Sequence, residues 1–333
     1  MLGVLPGAAS ACRGGSTLPP QRSSAHYAAV VDGLPSMAGR TFAVTGASRG
    51  LGFVTARALA SKGAAVLMLN RNSKRAEAAR AEVEAAGSSC EIIECDLLDF
   101  ASVRAAAAAV RAHVADGGLD GLACNAGIMI APDEASRDGY DITASTNVLS
   151  HFLLVKELLE PLERAAAVRG DARVVSMSSG SGFGGPAFDA RYLSRSGGRL
   201  GGKRASYERY HQSKLSNLLF AASLADRLAA RRSAVKSLAC TPGVCATDMF
   251  VQVASRPGRP ADTLSVPSVE DGACAQLKCL CDPTVRSGEL WGPPGMGGPP
   301  ARVELSPPTV LVDDAAKRAL WEACEAAVGT FEA

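Results

Sequence analysis

Tyr210 and Lys214 are the pair whose types and spacing most directly offer chemistry. Residues four apart on a helix lie one above the other, so a phenol and an ammonium would point into one site. A free phenol titrates near about 10 and is a poor base at neutral pH. A neighbouring cation favours the phenolate, lowers that value and makes the phenol a usable proton donor or acceptor. Of the five tyrosines, only Tyr210 has a lysine four residues on. The same spacing also describes an ordinary surface pair. The rest of the chain has to decide between them.

The elements around this pair read as alternating strands and helices. Thr41 to Thr45 is a buried strand and Leu51 to Ser61 an Ala-rich helix, with Thr45-Gly46-Ala47-Ser48-Arg49-Gly50-Leu51-Gly52 between them. Glycines let a ligand approach the backbone, and a helix N-terminus offers unpaired N–H groups to an anion. Further strands are expected at Ala64 to Asn70, Cys90 to Cys95, Gly121 to Asn125, Arg173 to Met177, Val235 to Cys240 and Glu289 to Trp291. The intervening helices cover Ser73 to Ala86, Ala101 to Ala115, Tyr140 to Arg164, Ser206 to Arg231, Ser268 to Cys281 and Asp313 to Val328. This rhythm predicts an α/β fold: a doubly wound parallel sheet in a three-layer αβα single domain over residues 39–333. Two stretches interrupt it. Residues 180–205 are rich in Gly, Ser and Arg, a flexible insertion, and Trp291 to Pro300 is a Gly/Pro-rich connection.

Composition bounds the function. The 333 residues are 47% hydrophobic and 20% charged with a net charge of +2, which supports a globular core and marks no nucleic-acid surface. No apolar run is long enough for a spanning helix. The ten cysteines are scattered, and Cys274, Cys279 and Cys281 lack the partners of a zinc spacing, so no metal site is expected. Residues 1–38 read as a leader. Met1 to Val31 contain no Asp or Glu and carry Arg13 and Arg22, a composition shared by transit peptides and disordered extensions. The expected location is a plastid or mitochondrion in the first case and the cytoplasm in the second.

Six motifs in order resemble the short-chain dehydrogenase/reductase family across about Arg40 to Gly329. They are the glycine turn Thr45 to Gly52, Cys124-Asn125-Ala126-Gly127 after the fourth strand, Asn147, Ser178-Ser179 after the fifth strand, Tyr210 with Lys214, and Pro242-Gly243 with Thr247. The resemblance implies a catalytic set of Asn147, Ser179, Tyr210 and Lys214. Tyr210 exchanges a proton with the substrate oxygen, and Lys214 lowers the phenol pKa and holds the nicotinamide ribose. Ser179 stabilises the oxygen where charge develops, with Ser178 the competing serine, and Asn147 positions a water that links Lys214 to solvent. It also implies cofactor contacts from Gly46, Ser48, Arg49, Gly50, Leu51, Gly52, Asn125, Ala126, Gly127, Pro242, Gly243 and Thr247, besides Tyr210 and Lys214. Asp96, with Leu97 beside it, is expected at the adenine; its alternative is a helix cap. The end of the second strand reads Leu69-Asn70-Arg71-Asn72, with no carboxylate for an NAD ribose. Arg71, and Arg49 from the other side, suit a 2′-phosphate instead, so the expected cofactor is NADP(H).

The expected activity is hydride transfer between nicotinamide and a carbonyl or alcohol. Asn147-Val-Leu-Ser-His-Phe-Leu-Leu and Tyr210-His-Gln-Ser-Lys-Leu-Ser-Asn-Leu-Leu-Phe are similar to retinol dehydrogenase-like and protochlorophyllide reductase-like members, which implies a bulky apolar substrate. A light-dependent protochlorophyllide reductase-like enzyme is one alternative, and a non-catalytic NADP(H) sensor another; a sensor would ordinarily lose Tyr210 or Lys214. The family forms dimers and tetramers, but no surface here is marked for pairing. His151 and His211 are read as helix-face or supporting residues. Cys124 and Ser176 depart from the family's asparagines, at structural positions. The larger departure is the distance from Ser179 to Tyr210: the insertion must loop out and return, either as a flap over the pocket or as a surface loop.

Overall fold

The computed structural model describes residues 22–250, 265–305 and 313–333. The first 21 residues of the expected leader, and residues 251–264 of the expected substrate loop, lie outside the described residues.

Eight strands form one sheet in the order β3-β2-β1-β4-β5-β6-β7-β8. They are β1 Thr41–Thr45, β2 Ala65–Asn70, β3 Cys90–Glu94, β4 Gly121–Cys124, β5 Ala172–Met177, β6 Val235–Cys240, β7 Leu290–Gly292 and β8 Ala301–Arg302. All neighbours pair in parallel except β7 and β8. The central strands are apolar runs because both faces are covered. One core cluster contains side chains of α4 Phe100–Val114, α6 Ser150–Arg169, α7 Ser206–Ala230 and α9 Asp314–Val328. The other contains side chains of α2 Gly50–Ser61, α3 Lys74–Ala85 and α8 Val269–Cys281, and α1 Tyr27–Gly33 packs against it. Among the described residues no helix is long and apolar enough to cross a membrane.

Local chemistry sets the helix ends. The Ser73, Asp99, Ser268 and Asp313 side chains each accept a hydrogen bond from the first turn of α3, α4, α8 and α9. Gly170 ends α6 in the left-handed region at φ 85°. Pro161 inside α6 leaves the Glu157 carbonyl without its usual donor. Arg111 of α4 supplies one, 2.8 Å away.

Three departures from the sequence expectation matter for the site. First, α1 lies inside the stretch read as leader. The Asp271 carboxylate accepts four bonds from Ser24, Ala25, His26 and Tyr27, at 2.9–3.0 Å, and fixes the start of α1 to α8. Second, the helix expected over Tyr140 to Arg164 is three pieces: α5 Ile142–Ala144, a π turn at Ser145–Leu149, and α6. Third, the insertion 180–205 is no free loop: Tyr192 and Leu193 are buried, and Leu193 joins the same core cluster as α4, α6, α7 and α9. Apolar residues sparse in sequence are enough to anchor a segment when each one reaches the core.

Candidate active site

The C-terminal ends of β1, β2, β4, β5 and β6 open onto one cavity of about 1420 Å³. That exceeds the roughly 300–1,000 Å³ of an ordinary small-molecule site. It has room for a dinucleotide and a second molecule. Of the cofactor positions named from sequence, all but Gly52 line it, as do Ser179, Tyr210 and Lys214. Gly52 and Asn147 stand just behind the wall.

Tyr210 and Lys214 lie on successive turns of α7, and both are buried. The Lys214 ammonium lies 5.7 Å from the Tyr210 ring centroid and donates to the Met177 carbonyl at 2.9 Å. Asn217 donates to the same carbonyl at 2.9 Å, so the last residue of β5 orients the helix. Burial pushes Lys214 down to about 8. Burial also pushes Tyr210 up to about 12, against the influence of Ser179, which draws it down. The expected depression of the phenol by Lys214 is therefore not what this arrangement produces. The ammonium is committed to Met177, and loss of solvent sets the direction of the phenol.

The two candidate serines separate by partner. Ser178 is buried; its hydroxyl donates to the Lys214 carbonyl at 2.8 Å and its amide to Cys240 at 2.7 Å. Ser179 faces the same cavity as Tyr210 and draws the phenol's pKa down. Asn147 sits inside the π turn. Its side chain accepts from the Ile128 amide at 2.9 Å and donates to the Ile128 carbonyl at 3.0 Å and to Ser213 at 2.9 Å. Ser213 in turn donates to the Tyr210 carbonyl at 2.7 Å. Ser213 was missed in the sequence, although its place between Tyr210 and Lys214 is a signal.

Of the two roles read for His151, helix-face or supporting, the structure shows the second: it is a buried link. Its ring lies 2.9 Å from the Thr45 hydroxyl and 3.2 Å from the Asn147 carbonyl. Thr45 accepts the Asn125 and Ala126 amides at 2.9 Å each, which fills its two lone pairs, and its proton lies between the Ala123 carbonyl at 3.2 Å and the ring. The neutral Nδ1–H tautomer completes the chain. Burial first, with the Lys214 charge adding to it, holds His151 down to about 4, against a hydrogen bond with Asn147. The unfolded chain takes up this proton near about 6.5. Between those values the unfolded state binds more protons, so stability falls as pH drops through the window, by roughly 3 kcal/mol at its end. Urea titrations at pH 7 and pH 4.5 should show a larger loss for the wild type than for His151→Gln; equal losses would refute the assignment.

The glycine turn fits a dinucleotide phosphate. A Cβ on Gly52 would come 2.5 Å from the Gly46 carbonyl and from Asn125 Nδ2, so only glycine lets the first turn of α2 pack this closely on β1. Gly46 and Gly50 have φ of 67° and 58°. At the end of β2, Asn70 Nδ2 is buried without a partner, and Asn125 Oδ1 beyond β4 is likewise unpaired. Polar atoms left in this state are suited to a bound polar molecule. Arg71 is exposed and lines the cavity. Arg49 is paired with Asp248 across the cavity mouth. Asp96 accepts from the Leu98 amide at 3.0 Å, and Asp99 rather than Asp96 caps α4. Gly243 has φ 68°, and a Cβ there would meet the Met296 carbonyl at 2.6 Å, so the Pro-Gly loop closes on the Gly/Pro-rich connection. Thr247 accepts from the Phe250 amide at 3.4 Å.

Residues 40–198 match the family model described as short chain dehydrogenase. A short-chain dehydrogenase/reductase of Armillaria gallica is 32% identical over 301 residues, covering 89% of this chain and 92% of its own. Retinol dehydrogenase 12 of Mus musculus is 35% identical over 213 residues, 63% of each chain. The match to an uncharacterized oxidoreductase of Schizosaccharomyces pombe likewise spans 63% of that protein's length. The crystal structure of an uncharacterized protein from Mycobacterium Paratuberculosis superposes with a TM-score of 0.72 at 31% identity, over 91% of this chain and 98% of the other.

Proposed function

This chain belongs to the short-chain dehydrogenase/reductase family, and we propose that it is an NADP(H)-dependent oxidoreductase that interconverts a bulky apolar alcohol and its carbonyl compound. The observation that carries the reading is that Tyr210, Ser179 and Lys214 share the wall of one cavity with the glycine turn. A bound nicotinamide supplies or accepts the hydride at the substrate carbon. The chain manages the proton. Tyr210 donates to the carbonyl oxygen, Ser179 donates a second hydrogen bond where negative charge gathers, and Lys214 holds the ribose side of the site.

The substrate end favours apolar molecules. Met129, Phe183, Tyr207, Met249, Phe250 and Met296 line it, and methionine adapts to irregular apolar shapes. A panel of retinoid, steroid, aromatic and short aliphatic carbonyls, read by NADPH oxidation, tests this. Turnover confined to the short aliphatic compounds would overturn it.

The cofactor preference rests on Arg71. It makes no ion pair with a described residue, whereas Arg49 is engaged by Asp248, so of these two Arg71 is the guanidinium ready for a 2′-phosphate. Replacing it with alanine should weaken NADPH binding by roughly 10- to 100-fold, the loss of a charge-assisted contact of about 1.5–3 kcal/mol. NADH binding should not change. Fluorescence titration of both cofactors measures this, and equal weakening would remove Arg71 from the role.

A further inference from the structure

The turn of α7 that carries Tyr210 is enclosed on all sides. Residues 209–215 are all buried, although they include an arginine, a histidine, a glutamine and a lysine. Consecutive helical residues point about 100° apart, so four of them span the circumference. Burying polar groups is costly unless each finds a partner. Lys214 finds one on β5. The other three find theirs elsewhere, and for each it includes insertion backbone.

His211 lies between the carbonyls of Ser181 and Pro186, the second at 3.0 Å. Gln212 accepts the Asp189 amide at 3.1 Å and donates to the Ala187 carbonyl at 2.8 Å, holding both neighbours of Phe188. Arg209 donates to the Gly202 carbonyl at 2.7 Å and to Ala131 at 2.8 Å, and Asp133 beside it accepts the Leu200 and Gly202 amides. One helical turn therefore grips the insertion near its beginning and near its end.

The glycines have a matching reason. A Cβ on Gly185 would fall on the His211 ring, and one on Gly182 would come 3.0 Å from the backbone of Lys214. Neither glycine is a mark of looseness here. Each is the close approach that lets the segment lie flush on α7. Ser179 begins this segment: it caps the short turn Gly180–Gly182, accepting from the Ser181 amide at 3.3 Å, and His211 holds the carbonyl of that same Ser181.

We propose that His211, Gln212 and Arg209 are positioning residues that fasten the 180–205 insertion to α7 and thereby set the Ser179 hydroxyl against the Tyr210 phenol. The insertion is a fixed wall of the site. It supplies the contact that the long separation of Ser179 and Tyr210 in sequence would otherwise leave to chance. This inference rests on the proposed chemistry of Tyr210, so its test keeps the two apart.

The experiment measures kcat, KM and NADPH affinity for His211→Phe, Gly185→Ala and Tyr210→Phe, and for Ser179→Ala alone and combined with the first two. His211→Phe keeps ring volume and removes the grip; Gly185→Ala leaves α7 intact and crowds the ring from the other side. Both should lower kcat by about 10-fold or more with NADPH affinity within about twofold. Ser179→Ala should cost about 100-fold in the wild type, as for loss of one oxyanion donor, and far less in either variant. A residue that only supports the fold would give independent, multiplying losses. If Tyr210→Phe is inactive while both variants keep the wild-type kcat, or while the Ser179 loss stays full in their presence, the inference is overturned. If Tyr210→Phe stays active, the proposed function itself fails. Should His211→Phe not fold, Gly185→Ala decides alone.

Discussion

Tyr210→Phe is expected to reduce turnover by about 10²- to 10⁴-fold, the range for removing a positioned general acid. NADPH affinity should be nearly unchanged. The substitution removes one hydroxyl, which approaches the Met249 sulfur at 3.9 Å. The ring is retained, with its packing 6.4 Å from Tyr207. Because burial holds the phenol up to about 12, it stays protonated at neutral pH, ready to donate to a carbonyl oxygen. Steady-state rates with an accepted carbonyl, beside a fluorescence titration of the cofactor, make the measurement. Equal rates would exclude Tyr210 as the proton donor.

The largest expected effect on stability lies one residue earlier. Arg209 and Asp141 face each other 3.1 Å apart, and both side chains are about 1% exposed. Asp141 also caps α5, accepting from Thr143 and Ala144 at 3.0 Å each. Burial raises its carboxyl despite these bonds and the Arg209 charge. Arg209→Met should therefore cost about 3–5 kcal/mol, because it strands a buried carboxylate. Adding Asp141→Asn should restore part of that loss. Chemical denaturation of the two variants and the wild type reads both numbers. A cost below about 1 kcal/mol would mean that Asp141 is already neutral in the folded chain.

Much of the frame was legible because it depends on local pattern. Strand β1, the glycine turn and α2 could be read from apolar runs and glycine placement, since those features state their own geometry. Tyr210, Lys214 and Ser179 were legible as spaced motifs. The contacts that hold them were not. His211, Gln212 and Arg209 reach backbone carbonyls, and a carbonyl carries no residue identity in a sequence. The insertion looked loose for the same reason: its glycines signal freedom in a composition and close packing in the folded chain. The π turn at Ser145–Leu149 was hidden because one extra residue in a helical turn leaves the apolar periodicity of α6 nearly intact. The phenol shift was misjudged because proximity to Lys214 can be read from spacing, while depth cannot.

The Asp271 anchor has a practical consequence for handling the protein. The strand pattern invites trimming the chain to start at Arg40, just before β1. That cut would strip from Asp271 the four bonds it receives from residues 24–27, and would uncover the face of α8 on which Tyr27 and Val31 pack. Val269 and Glu270, on the same first turn of α8, line the cavity. A shortened version would thus disturb the cofactor end while leaving every motif residue in place. Purification tags belong upstream of Arg22.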